Sequence, residues 1–175
     1  MKRIKNAKGF SLVELIIVII LVGILAATAI PRFINATDDA KINTLEQILT
    51  QIQSTVELNR NFAAVKNSLN GEQTLILDEI GPYSFNMGYP QNKSEATNPN
   101  LFFFDLMKLA KGPRTVIENS GTQRKISYGD LQTFENDNVS RIGYGTDELD
   151  NDNCYVEYLL TEAGEASFDI VTTGC

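Results

Sequence analysis

From Phe10 to Ile30 the chain runs for 21 residues with only Ser11, Glu14 and Thr28 as polar side chains. Leu15 to Ala27 contains none. As a helix this run spans roughly 31 Å at 1.5 Å per residue, which matches the hydrocarbon thickness of a bilayer. Apolar residues occupy every face. Such a helix cannot rest one side on a globular core and turn the other to water. It needs lipid, or other apolar helices, all around it.

Charge orients the run. Lys2, Arg3, Lys5 and Lys8 precede it, with no acid among residues 1–9. The whole chain has 15 basic and 22 acidic side chains and a net charge of −7, so the remainder is strongly acidic. A basic head before an apolar span places that head in the cytoplasm and the rest across the membrane. The far compartment permits disulfides. An acidic chain is also a poor match for phosphate backbones, and no nucleic-acid partner is expected. There is no His, which removes imidazole-ligated metal sites and imidazole bases. Two Cys cannot make a four-thiolate zinc site. No nucleophile with a base, phosphate loop or placed pair of acids stands out. Neither an enzyme nor a cofactor is expected.

An ordinary secretory signal competes for residues 1–30, and Ala27-Thr28-Ala29 has the small-x-small form of a cleavage site. The run is long for a signal, however. Glu14 also lies inside it, where a carboxylate costs about 2.5–3.5 kcal/mol at a helix centre on insertion scales. A discarded signal gains nothing from that cost.

Gly9-Phe10-Ser11-Leu12-Val13-Glu14, the apolar run and Pro31 together resemble the N-terminus of a type IV prepilin. The strong match covers residues 1–40. Farther on, Asp38-Asp39-Ala40, Gly88-Tyr89-Pro90, Leu101-Phe102-Phe103-Phe104 and the late Cys pair are similar to the mannose-sensitive haemagglutinin (MSHA) branch of these pilins. The resemblance implies that a prepilin peptidase cuts between Gly9 and Phe10 and methylates the new Phe10 amine. It implies that the stem is retained, first as an inner-membrane anchor and then as the core of a filament. Glu14 would pair with the Phe10 amine of a neighbouring subunit. A buried carboxylate left alone is strongly penalised, so docking would be correct only at the axial register joining the two charges. The implied partners are further copies of the chain, the peptidase, an inner-membrane platform protein, an assembly ATPase and a secretin. Adhesion and biofilm formation are the implied roles of the fibre. A type II secretion pseudopilin, a minor or tip pilin, and an ordinary secreted binding protein are the alternatives.

Gly23 and Pro31 are weak points of the helix: Gly lowers helix propensity by about 1 kcal/mol, and Pro lacks a backbone donor. In filaments of the resembled family the stretch between such residues can lose helical order during assembly, here Gly23 to Pro31; a simple kink at Pro31 marking the membrane exit is the alternative. Beyond Pro31, Leu45, Ile48, Leu49, Ile52 and Val56 recur at steps of three and four, with Gln47, Gln51, Gln53, Ser54 and Glu57 between them. This is an amphipathic helix with one buried stripe. The period extends through Leu58, Phe62, Val65 and Leu69, where Asn70-Gly71 stops it. The domain reading is therefore a basic leader at 1–9, an apolar helix at 10–30, and a globular head at 31–175 whose helix runs to about 69.

The amphipathic half needs a sheet to pack on. Strand candidates are residues 124–128, 139–144, 155–160 and 167–172, with a turn at 161–166. Residues 74–77 are a short apolar run, a strand or an extension of a helix toward Ile80. Gly81-Pro82 and Gly88-Tyr89-Pro90 mark turns, residues 91–100 a polar loop, and residues 101–109 a short helix stopped by Gly112-Pro113. The expected class is α+β, one long helix on an antiparallel sheet, as in the resembled family.

Cys154 and Cys175 are most simply a structural bridge, since their spacing is far from Cys-x-x-Cys. A closed loop of that length is worth roughly 3 kcal/mol in the chain-entropy account. In the acidic run at 145–153, Asp147, Asp150 and Asp152 offer oxygen ligands for calcium. The spacing is not that of an EF-hand and lacks its closing Glu, which favours a solvated turn. Asp38-Asp39 reads as a hydrated turn near the membrane exit. Asn92-Lys93-Ser94 and Asn138-Val139-Ser140 fit the N-glycosylation pattern, a common chance match. The three Phe at 102–104 read as core.

Overall fold

The computed structural model describes residues 10–96, 101–107, 114–146 and 148–175, with the backbone alone at 30–35. The leader with Gly9, the second part of the polar loop (97–100), the end of the short helix with Gly112-Pro113, and Asp147 lie outside the described residues. The chain divides into two compact units, Met1–Ala40 and Lys41–Cys175. The architecture is α+β: an N-terminal helix that begins apolar, followed by antiparallel sheets.

Helix α1 (Leu12–Val65) is 54 residues long. Its backbone stays helical through Gly23 and Pro31. Asp38-Asp39 is also helical, not a turn. From Lys41 onward one stripe is buried: Leu45, Ile48, Ile52, Val56 and Ala63. Each large aliphatic side chain removed from water contributes about 1.5–3 kcal/mol. The stripe departs from its expected continuation. Leu58, Val65 and Leu69 are exposed, while Ala63 lies in the core.

The helix also ends earlier than the expected 69. Asn67 adopts a left-handed φ of 56°. The Ser68 N–H donates to the Ala63 carbonyl at 2.9 Å, and the Asn67 N–H to Ala64 at 3.0 Å. Those two bonds form a Schellman cap. Asn, which tolerates the left-handed region, supplies the stop before Gly71 is reached.

Strands β1 (Glu72–Leu77), β2 (Gly81–Asn86) and β3 (Tyr89–Pro90) form a three-stranded antiparallel sheet. Residues 74–77 are thus strand, while Gly81-Pro82 opens a strand instead of marking a turn. Pro82 pairs with Ile76 on β1, and β3 reaches only Phe85 and Asn86. Pro therefore sits where β2 has a single neighbour, the position a missing donor permits. Met87 (φ 51°) and Gly88 (φ 83°) make the two-residue hairpin from β2 to β3. Two successive positive φ values are the type I′ signature and explain the glycine.

Helix α2 (Phe103–Leu106) follows, and then six strands in sequential antiparallel order: β4 (Arg114–Asn119), β5 (Gln123–Tyr128), β6 (Leu131–Asn136), β7 (Val139–Gly143), β8 (Tyr155–Leu160) and β9 (Ala166–Val171). The four expected strands are β5, β7, β8 and β9. Strands β4 and β6 go beyond that expectation. The core joins α1 to β1, β2, α2, β7 and β8, with Tyr158 stacked on Phe103 at 4.2 Å between ring centroids. A side chain at Gly143 would collide with the Cys154 carbonyl, so the approach of β7 to the start of β8 requires glycine. Phe102, Phe103 and Phe104 are buried as expected.

A buried ion network holds α2 against the large sheet. Arg124 on β5 donates from Nε and Nη2 to Glu135 Oε2 on β6 at 3.0 and 2.8 Å, and from Nη1 to Asp105 Oδ2 at 2.9 Å. Glu135 Oε1 accepts the Phe104 N–H and Asp105 Oδ2 the Phe102 N–H, each at 2.8 Å. The two carboxylates thus satisfy the backbone donors at the start of α2 while Arg124 neutralises part of their charge. The Arg124 guanidinium also lies 4.5 Å from the Phe102 ring centroid. Burial nevertheless pushes the Glu135 carboxyl up to about 7, against the lowering effects of Arg124 and the Phe104 N–H.

The sign of the linkage follows. A carboxyl that holds its proton more tightly when folded stabilises the fold most below its ordinary pKa. That contribution is lost as pH rises through the folded value. Unfolding free energies of the full chain in mild detergent, compared with Glu135→Gln, should show the advantage of the native protein shrinking from pH 5 to pH 7.5. The slope should not exceed about 1.4 kcal/mol per pH unit. A difference independent of pH across that window would contradict this assignment.

Candidate functional site

The first turn of α1 gathers the polar residues of the apolar run. Ser11 precedes the helix, and its Oγ accepts the Val13 N–H at 3.3 Å. Glu14, three residues on, returns its Oε2 to the Ser11 N–H at 2.9 Å. The Leu15 N–H bonds the Ser11 carbonyl at 3.2 Å. This reciprocal arrangement is a capping box, which satisfies two of the donors a helix start leaves open. The negative carboxylate also faces the positive end of the helix dipole. The sequence expectation takes Ser11 only as part of the processing signal and gives Glu14 a partner in another subunit. Ser-x-x-Glu ahead of an apolar run is the signal that marks the cap.

The third polar residue is satisfied as well. Thr28 Oγ1 donates to the Leu25 carbonyl at 3.0 Å, within its own helix. All three polar side chains of the run therefore find partners in the same chain, the condition that a segment in hydrocarbon must meet. Leu12–Ala29 is long and apolar enough to cross a membrane, and none of it is buried among the described residues. Phe10 is 92% exposed. Space is open around the Gly23 backbone. The Pro31 side chain lies outside the described atoms.

A second cluster lies in the Lys41–Cys175 unit. Cys154 and Cys175 form a disulfide that joins the start of β8 to the segment after β9. Lys41 Nζ donates to the Cys175 carbonyl at 2.7 Å, tying this loop to α1. The acidic run folds around Arg141, which pairs with Asp150 and, at 2.6 Å, with Glu157. Asp152 Oδ2 accepts the Thr146 N–H at 2.7 Å, and Leu149 is buried beneath. Asp150 and Asp152 are thus engaged by protein groups, and Asp147 lies outside the described residues. The run is a turn segment with Thr146, Glu148, Asp150, Asn151 and Asn153 exposed, as expected of a solvated turn, and it is anchored through Arg141 and Leu149. Of the two glycosylation-like motifs, Asn92 is buried and Asn138 exposed.

Part of the chain is similar to known proteins. A family model described as the prokaryotic N-terminal methylation motif matches residues 4–30. The chain is also similar to the type IV narrow pilus major component PilA5 of Thermus thermophilus, with 46% identity over 49 residues. That match covers 28% of this chain and spans 42% of the relative's length. No solved structure matches.

Replacing a capping Ser by Ala costs about 1 kcal/mol, or roughly fivefold in a local opening equilibrium. Ser11→Ala in the full chain in detergent micelles should accelerate amide hydrogen exchange at Val13 by that factor and leave the Lys41–Cys175 unit unchanged. Unaltered protection at Val13 would show that the cap contributes nothing to the helix start.

Proposed function

We propose that the chain is a structural subunit of a type IV pilus of the MSHA kind, made as a prepilin and assembled into a surface filament for adhesion and biofilm formation. The single observation that carries this reading is an all-round apolar helix, none of whose Leu12–Ala29 span is buried among the described residues, opening on a carboxylate. The methylation motif and the similarity to a pilus component support it.

In this reading prepilin peptidase removes residues 1–9 by cleaving between Gly9 and Phe10, and the Phe10 amine is methylated. The Phe10–Ser11 peptide bond survives that cut. The Ser11 N–H therefore remains available to Glu14, so the capping box passes into the mature subunit. Residues 10–30 then anchor the subunit in the inner membrane, with the N-terminus cytoplasmic, and residues 31–175 lie outside. The cap answers the hydrogen-bonding needs of Glu14 but not its charge. A neighbouring subunit supplies the cation in the form of its Phe10 amine. A carboxylate surrounded by apolar helices strongly favours that partner over none. Head-to-tail contacts of this type do not close on themselves and give a filament. The platform protein, ATPase and secretin would carry out extraction and export. The disulfide-closed loop, stapled and tied to α1, is suited to an outward face.

Glu14→Ala separates processing from assembly. The variant should be cleaved and membrane-bound, yet yield at least tenfold fewer sheared fibres; native fibres should begin with methylated Phe10. Normal fibre yield from the variant would refute the register role. Mature chains starting at Ile30 would refute the reading as a whole. Little of the subunit in sheared fibres from native cells would favour a minor pilin or a periplasmic pseudopilin.

A further inference from the structure

We propose that Asn70-Gly71 is a self-modification site, at which the Asn70 side chain loses ammonia through a cyclic imide and becomes an acid. The dipeptide is free of the capping role its sequence suggests, because the cap bonds at Asn67 and Ser68 already end the helix. It lies in the short junction between α1 and β1, and Asn70 is exposed.

The step needs only the chain and water. The Gly71 nitrogen gives its proton to hydroxide and bonds to Asn70 Cγ. The side-chain nitrogen takes a proton from water and leaves as ammonia. Water then adds to one of the two imide carbonyls, and the ring opens to aspartate or isoaspartate. Nothing is oxidised or reduced. The attacking nitrogen must be unshielded and free to turn, and the carboxamide must be free to meet it.

Three Asn residues precede Gly or Ser, whose small side chains shield the attacking nitrogen least: Asn67, Asn70 and Asn119. Their surroundings differ. The Ser68 N–H donates to the Ala63 carbonyl at 2.9 Å, and Ser68 is buried. The Ser120 N–H donates to the Gln123 carbonyl at 3.1 Å. Each of these nitrogens must give up a carbonyl before it can attack. The Gly71 N–H points instead to Met87 Sδ at 3.2 Å, and a thioether is a weak acceptor. The Asn70 carboxamide has no hydrogen-bond partner among the described residues; only its backbone carbonyl is engaged, by Gln73 Nε2 at 3.3 Å. A Cβ placed on Gly71 would meet nothing within 4 Å, so the fold leaves open space beside the attacking nitrogen. The fold thus restrains two of the three candidates and leaves the third free.

Each conversion makes the net charge of −7 more negative by one unit and adds a carboxylate near Glu72, at the exposed start of β1. Isoaspartate also lengthens the main chain by a methylene, next to the point where the Gly71 carbonyl accepts the Met87 N–H at 2.9 Å.

The test is a time course on the full chain in detergent micelles, in mildly alkaline buffer, read by peptide mass mapping with fragmentation and by anion exchange. In the folded chain Asn70 should convert about tenfold or more faster than Asn67 or Asn119. Unfolding in urea should speed Asn67 and Asn119 by about fivefold to tenfold, the worth of one backbone hydrogen bond, and Asn70 by less than about threefold. Asn70→Gln should keep the thermal midpoint and lose the more acidic form that grows with time in the native chain. The proposal fails if Asn70 converts no faster than Asn67 and Asn119 in the folded chain, or if urea speeds all three alike. It also fails if the acidic form grows undiminished in Asn70→Gln.

Discussion

Between Leu12 and Ala29 the helix surface is apolar on every side, and none of it is buried among the described residues. Hydrophobic burial is the largest favourable contribution to folding, and here it is left unrealised within the single molecule. The missing contacts must come from lipid or from other copies. The polar residues of the same stretch are arranged accordingly. Ser11 and Glu14 answer one another at the helix start, and Thr28 bonds its own turn. Among the described residues, no cation is paired with Glu14.

The Lys41–Cys175 unit is built on different principles. Its core is continuous from α1 through β2, α2 and β8, but short, polar strands border it. Three further interactions hold this unit in place. The Asp105–Arg124–Glu135 network seats α2 on β5 and β6. Arg141 organises the acidic run. The Cys154–Cys175 bridge, with Lys41 on its terminal carbonyl, ties the last hairpin to the helix. Breaking one partner of a buried ionic group leaves the other uncompensated, so loss of Arg124 would strand the Asp105 and Glu135 carboxylates without their cation.

The stem was legible because its signal is long, continuous and needs no tertiary context. The same holds for the stripe from Leu45 to Val56 and for β8, whose alternating buried and half-buried residues give a clear period of two. Strand β6 hid because Leu131-Gln132-Thr133-Phe134-Glu135-Asn136 mixes polar and apolar residues. Thr133, Phe134 and Glu135 are all buried, so both faces are covered and no alternation survives. Strand β2 hid behind Gly81-Pro82, which reads as a turn unless the shortness of β3 is known. The Arg124 network joins residues 11 and 19 positions apart, and charged side chains in sequence look like surface. The capping box was local and readable from Ser11 and Glu14, but in so apolar a context the lone charge outweighs its backbone partner as a signal.

Membrane partition of the full chain and of a Lys41–Cys175 fragment tests most directly whether the uncovered helix governs this molecule. Both would be mixed with phospholipid vesicles and washed with alkaline carbonate. The full chain should stay in the bilayer, and the fragment should be recovered in the aqueous fraction as a folded monomer. Recovery of the full chain as a soluble monomer, with its helix intact and no lipid or detergent bound, would contradict the account.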